Sequence, residues 1–258
     1  MRAVMQDRTL RKVITVLLIL GIGGGGAIGI SWFVQTRYAH TLTTVYHYEA
    51  SLETSTELSN VTLFIPLPTG PDGTSPVVKA VGSMDEDLPA GTWDLLGDRD
   101  FAMLKYTAPA LPPNRRPAPV PMHPENGTPA QSKGGEIIVP WTVTIRARTD
   151  GVIDTMNPGV LLRPRSGPAK VPCPMPASSG TVAECREYTG FMYARYDAPS
   201  NASVDITVEV TGGNHWFILG WSGNEYRDRQ SLHLTGPVRG WYETDGFVST
   251  GIGRYSVI

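Results

Sequence analysis

The chain has 258 residues and a formal net charge of −2, from 22 basic and 24 acidic side chains. Five of those bases (Arg2, Arg8, Arg11, Lys12, Arg37) and one acid (Asp7) lie at the N-terminal end, which leaves the rest at net −6 and excludes a basic nucleic-acid or anionic-lipid surface. The 28 Gly and 22 Pro follow no triplet period, which excludes collagen and fits many turns between short strands.

The chain opens on a basic tail, residues 1–12, followed by Val13 to Val34, 22 residues without a charge. At the helical rise they extend about 33 Å, enough for a hydrocarbon layer of roughly 30 Å. The pattern predicts a single transmembrane helix over 13–34, tail in the cytoplasm and residues 35–258 outside the cell membrane. Trp32 falls near the outer headgroups. A cleaved signal peptide is the rival reading, with Val13 to Leu20 as its core and Ala27 and Gly29 at cleavage-like spacing. The apolar run continues through Ile28, Ile30, Trp32 and Phe33, longer than a secretory core needs, so an uncleaved anchor is favoured. Gly21, Gly25 and Gly29 form one small-residue stripe, the spacing of a helix that pairs with a second copy.

Beyond the anchor, period-2 alternation dominates. Thr43 to Leu52 and Asn60 to Leu67 read as strands that pair as neighbours, the second stopped by Pro66 and Pro68. Thr69 to Gly73 is a turn cluster. Pro76 to Val81 and Asp100 to Tyr106 are short strand candidates, with Trp93 a core anchor between them. Residues 108–135 are proline-dense and predict a mobile loop, a binding loop or a sub-domain boundary, a solvated insertion being the default. Ile137, Val139, Trp141, Val143, Ile145 and Ala147 then share one face of a single long strand. Asp154 to Arg165 is a turn with a short apolar piece, because Pro158 and Pro164 bracket it.

Cys173 and Cys185 close a short loop outside the cell, the pattern of a disulfide, which would stabilise by roughly 3 kcal/mol. Metal ligation fails for want of a second thiol or histidine at ligand spacing. Phe191 to Tyr196 and Ser203 to Thr211 read as strands joined by a turn at Asp197 to Asn201. The C-terminal part reads as hairpins, with turns at Ser222 to Glu225 and at Asp245-Gly246. The fold class is all-β, a β-sandwich-like outer domain of antiparallel strands behind one helix.

Chemistry is thin. Gly220-Trp-Ser-Gly-Asn224 lacks the last glycine and the following helix of a nucleophile elbow. The five histidines show no metal spacing, and no glycine cluster opens a helix to hold phosphate. No catalytic residue, metal ligand or cofactor is assigned. Asn60, Asn126 and Asn201 each open an N-glycosylation sequon. Trp216, Phe217, Trp221, Trp241 and Tyr242 are dense enough for a carbohydrate platform, with core packing as the plainer reading.

Three phrases, NVTLFIPLP at Asn60 to Pro68, IDTMNP at Ile153 to Pro158 and the closing GWYETDGFVSTGIGRY, resemble uncharacterised membrane-anchored surface proteins of archaea. The resemblance covers most of the outer domain. It implies location and architecture, and it brings no activity and no site residue. The expected function is a non-catalytic binding or scaffolding domain in the cell envelope, with an envelope protein or glycan as partner. The alternatives are an envelope enzyme acting on glycans and an accessory subunit of a membrane complex.

Overall fold

Alternating side chains that are apolar on one face and polar on the other make a sheet with a wet and a dry side. The computed structural model describes residues 29–89, 91–98, 101–118, 135–163, 165–173 and 184–253. Residues 29–41 are helical. The strands that follow are β1 (Thr43–Thr54), β2 (Leu58–Thr69), β3 (Asp85–Glu86), β4 (Thr92–Asp98) and β5 (Phe101–Leu111). Next come β6 (Arg115–Pro117), β7 (Glu136–Ile138), β8 (Trp141–Thr149), β9 (Leu161–Leu162) and β10 (Arg165–Val171). The longest close the chain: β11 (Glu184–Asp197), β12 (Ser203–Phe217), β13 (Trp221–Thr235) and β14 (Val238–Gly253).

All but β6 and β7 belong to one antiparallel sheet, in the order β3-β8-β1-β12-β13-β14-β11-β2-β5-β4. β10 lies beside one end of β11, and β9 beside the end of β2. The sheet curls until its halves face each other. Tyr48 on β1 donates its hydroxyl to the Pro66 carbonyl on β2 at 3.2 Å, although four strands separate the two in the order. Between the halves lies a single core from β1, β2, β5, β8, β11, β12 and β13, with Val248 of β14.

Two short connections make the curl. Residues 55–57 lead from β1 to β2, and 198–202 from β11 to β12, and neither pair of strands is hydrogen-bonded together. Each connection is therefore an arch from one half of the sheet to the other, not a hairpin. They meet at the same end, where Ser55 N–H donates to the Ser203 carbonyl at 3.0 Å. The expected pairing of the first two strands is corrected by the first arch, while the turn expected at Asp197 to Asn201 does join β11 to β12, as an arch between the halves. Local pattern sees a turn between strands, but long-range pairing decides what the turn joins.

Other boundaries shift for identifiable reasons. β2 runs through Pro66 and Pro68, because a proline carbonyl still accepts and β5 and β9 supply the partners. Pro76 to Val81 holds no strand, and a 3-10 turn occupies Val78–Ser83. The proline-dense stretch begins later than its composition implies: Ala108 and Leu111 are buried on β5, and β6 pairs with β7. The strand expected from Ile137 to Ala147 breaks at Pro140. There Val139 N–H donates to Asn114 O at 2.9 Å, so β7 and β8 belong to different sheets. The C-terminal turns also move. The β12–β13 tip is at 218–220, so Ser222 to Glu225 is already strand, and Asp245-Gly246 lies inside continuous β14.

Gly246 shows why that dipeptide is not a turn. It pairs directly with Tyr188 on β11, and a Cβ there would come within 2.4 Å of the tyrosine ring. Gly212 does the same between Tyr46 and Tyr226, its partners on the strands either side. In both places a tyrosine lies flat over the bare glycine of the next strand, covering backbone that no side chain protects.

A candidate binding face on the outer side of the sheet

β13 sorts two kinds of chemistry by strand alternation. Tyr226, Asp228 and Gln230 point inward and are fully buried, while Arg227, Arg229 and Ser231 point outward.

Inside, the polar groups hold a strap formed by residues 153–162. Asn214 is clamped to Ile153, its Oδ1 accepting from the backbone N–H and its Nδ2 donating to the carbonyl, both at 2.9 Å. Its Nδ2 also reaches Asn224 Oδ1 at 2.7 Å, and Thr155 Oγ1 donates to that same oxygen at 3.1 Å. Further along, the Tyr226 hydroxyl donates to the Val160 carbonyl. Asp228 accepts from Leu162 N–H at 2.8 Å and from the Tyr188 hydroxyl. The strap ends in β9, which pairs with β2, so it bridges the two halves of the sheet.

Burial pushes the Asp228 carboxyl up to about 6 from its usual 3.8. The hydroxyl of Tyr188, the Leu162 N–H and the nearby Arg165 pull the other way without overcoming it. The same burial, with Asp228 adjoining, drives the Tyr188 hydroxyl far above its ordinary value. A raised acid normally marks a catalytic group. This one is sealed from substrate and holds backbone, so its work is structural.

Outside, the pairing register lines up one row across five strands: Glu187 (β11), Phe247 (β14), Arg229 (β13), Glu209 (β12) and Glu49 (β1). The next row is Thr189, Asp245, Ser231, Thr207 and Ser51. These rows line two adjoining hollows that share Arg229, one of about 660 Å³ towards β10 and one of about 220 Å³ towards β1. Arg229 Nη2 donates to Thr207 Oγ1 at 3.4 Å, its one hydrogen-bond partner among the described residues. Glu187 and Glu209 have no ion-pair or hydrogen-bond partner for their carboxylates among the described residues. The face thus offers a guanidinium with most of its donors free, acceptor carboxylates, four hydroxyls and a half-buried ring across two adjoining hollows. Sequence alternation marks Glu49, Ser51, Thr207 and Glu209 as outward, and gives no such mark to Glu187, Phe247 or Arg229. Only the register across strands puts them in a row.

The residues singled out by sequence fall in scattered places. Cys173 and Cys185 form the disulfide, with Cα atoms 5.2 Å apart, tying the end of β10 to β11. Asn201 is exposed in the second arch. Asn60 is exposed at a positive φ of 55°, at an irregularity in the β2–β11 pairing, and its Nδ2 donates to Asp197 Oδ2 at 2.6 Å. Asn126, Gly21 and Gly25 lie outside the described residues, as do the tail and Val13 to Ile28 of the apolar run. A Cβ added at Gly29 would meet open space. Among the described residues no helix is long and apolar enough to cross a membrane. The aromatic platform is corrected: Trp216 is buried, Phe217 and Trp221 share the β12–β13 tip, and Trp241 groups elsewhere with Phe64 and Tyr193.

The fold and this face define an all-β protein built on one curled antiparallel sheet and pinned by a disulfide. Set beside known proteins, the chain matches no family model, no curated protein and no solved structure.

Proposed function

We propose that this is a membrane-anchored envelope protein whose outer domain binds a polyhydroxylated ligand, an envelope glycan, on the Arg229 face. The observation that carries the binding reading is the row Glu187–Phe247–Arg229–Glu209–Glu49, hollowed and left without mutual ion pairs. Sugar hydroxyls both donate and accept, so they satisfy carboxylates and guanidinium together, and the apolar C–H face of a sugar ring packs on the face of an aromatic ring. An anionic partner would need a cationic face, and a peptide strand would need a free sheet edge. Here the face is mixed in charge and lies in mid-sheet.

Support for the location comes from three features. The basic tail and the uncharged run Val13 to Val34 have the form of an anchor. The last residues of that run, 29–34, are helical, with Ile30, Trp32 and Phe33 exposed. The Cys173–Cys185 disulfide suits an oxidising compartment outside the cytoplasm. Asn60, Asn126 and Asn201 are the proposed glycan acceptors.

The test is titration of the full-length protein in detergent micelles against polysaccharide released from its own cell envelope. Saturable binding that Arg229→Ala weakens at least tenfold is expected. Binding that is absent, or unchanged in Arg229→Ala and Glu209→Gln, removes the reading.

A further inference from the structure

Three large apolar side chains stand in solvent at the β12–β13 tip. Residues 217–221 read Phe-Ile-Leu-Gly-Trp, without a charge. Leu219 is 90% exposed and Trp221 73%, and the Phe217 and Trp221 rings meet edge-on with centroids 5.6 Å apart. An exposed cluster of this kind marks a contact surface.

The tip is tied to the chain's own helix. Thr41 Oγ1 donates to the Phe217 carbonyl and accepts from the Phe217 N–H, both at 2.9 Å. One helical turn earlier, Tyr38 meets the ring of Trp216 edge-on at 5.5 Å. Tyr38 stands four residues past Val34, where the apolar run ends, or about 6 Å along the helix. The polar layer flanking the hydrocarbon is itself roughly 5–8 Å thick on each side. The Tyr38–Trp216 contact is therefore level with that layer, and Thr41, about 10 Å past Val34, stands just outside it.

Val152 belongs to the same end of the domain. It is 63% exposed, and its neighbours Thr149 and Ile153 are paired with Thr44 and bonded to Asn214. Asp150 and Asp154 flank Val152, so that loop carries charge on both sides of its apolar residue. The hairpin tip has no such charges.

We infer that the β12–β13 tip docks into the interfacial layer of the bilayer that holds the anchor, making a second membrane contact that sets how the domain stands. Trp and Phe are the side chains that favour this layer, one end of the indole apolar and the other wet. The occupant is lipid and not a second protein because the chain's own apolar run ends about one helical turn before Tyr38 and about two before Thr41. This inference rests on reading Val13 to Val34 as an uncleaved anchor.

The test uses the full-length protein in phosphatidylcholine vesicles whose acyl chains carry bromine near the headgroups. Quenching at each tryptophan is taken as the difference between wild type and Trp32→Phe, Trp221→Phe or Trp241→Phe. Trp241 is the internal control: it is exposed, but it lies 12 residues back along β14 from Gly253, roughly 40 Å towards the arches. Strong quenching at Trp32 and Trp221 with little at Trp241 is the expected result. Quenching at Trp32 with Trp221 no more affected than Trp241 overturns the docking while leaving the anchor in place, and so points to a second copy or another protein over the tip. An unquenched Trp32 removes the anchor itself, and the docking with it.

Discussion

Asp228 and Arg229 are neighbours on β13 and do opposite work. The inward residue is sealed, carries a perturbed acid and satisfies a backbone N–H on a strap. The outward residue lies in an open hollow with most of its donors unused. One strand thus keeps stability on one side and, on the function we propose, recognition on the other. A buried polar group costs stability unless its partners are complete, whereas an exposed one can wait for a ligand at little cost. Substitutions on the two faces should separate cleanly.

The largest effect is expected at Gly246→Val. Its branched side chain has no room beneath Tyr188, so one of the two must leave its place, at a cost of about 3 kcal/mol or more. Chemical denaturation should show a large loss of stability, with trimming of the strap by protease. Next is Asn214→Leu, which leaves the Ile153 N–H and carbonyl unpaired in a buried site and should cost roughly 2–4 kcal/mol. Hydrogen exchange at Ile153 should rise most, because its N–H loses its partner.

A smaller and more diagnostic effect concerns pH. Folded Asp228 takes up its proton near pH 6, the unfolded chain only near 3.8, so the folded state holds the extra proton in between. Stability from this group is complete below about pH 4 and is lost as pH rises through about 6, by up to about 3 kcal/mol. Asp228→Asn should flatten that slope in urea midpoints measured from pH 4 to 7.5. A slope unchanged in the variant would mean that another group carries it.

Much of the fold was legible in the sequence, and its failures share a cause. Alternation finds β1, β8 and β12 because one face of each is dry and the other wet. The spacing of the two cysteines marks Cys173 and Cys185 as a pair. Partners, however, are chosen by long-range pairing. A run such as Asp197 to Asn201 looks the same whether it closes a hairpin or arches to the opposite half of the sheet. Asp245-Gly246 has the composition of a turn, but Tyr188 on another strand uses that glycine as a platform. The outer row is not legible for the same reason, since Glu187, Phe247, Arg229, Glu209 and Glu49 are neighbours only through register. Asn214 and Asp228 gave a weak signal that could have been used: each is a polar residue placed where the strand's alternation calls for an apolar one.

The most direct test of the division between the faces measures two quantities on two variants of the full-length protein. Arg229→Ala should keep the wild-type unfolding midpoint, within about 0.5 kcal/mol, and lose envelope-polysaccharide binding at least tenfold. Asn214→Leu should lose stability and, at temperatures where it remains folded, bind as the wild type does. If Arg229→Ala instead unfolds the domain, or binds as tightly as before, the outer face is not where recognition resides and the account fails.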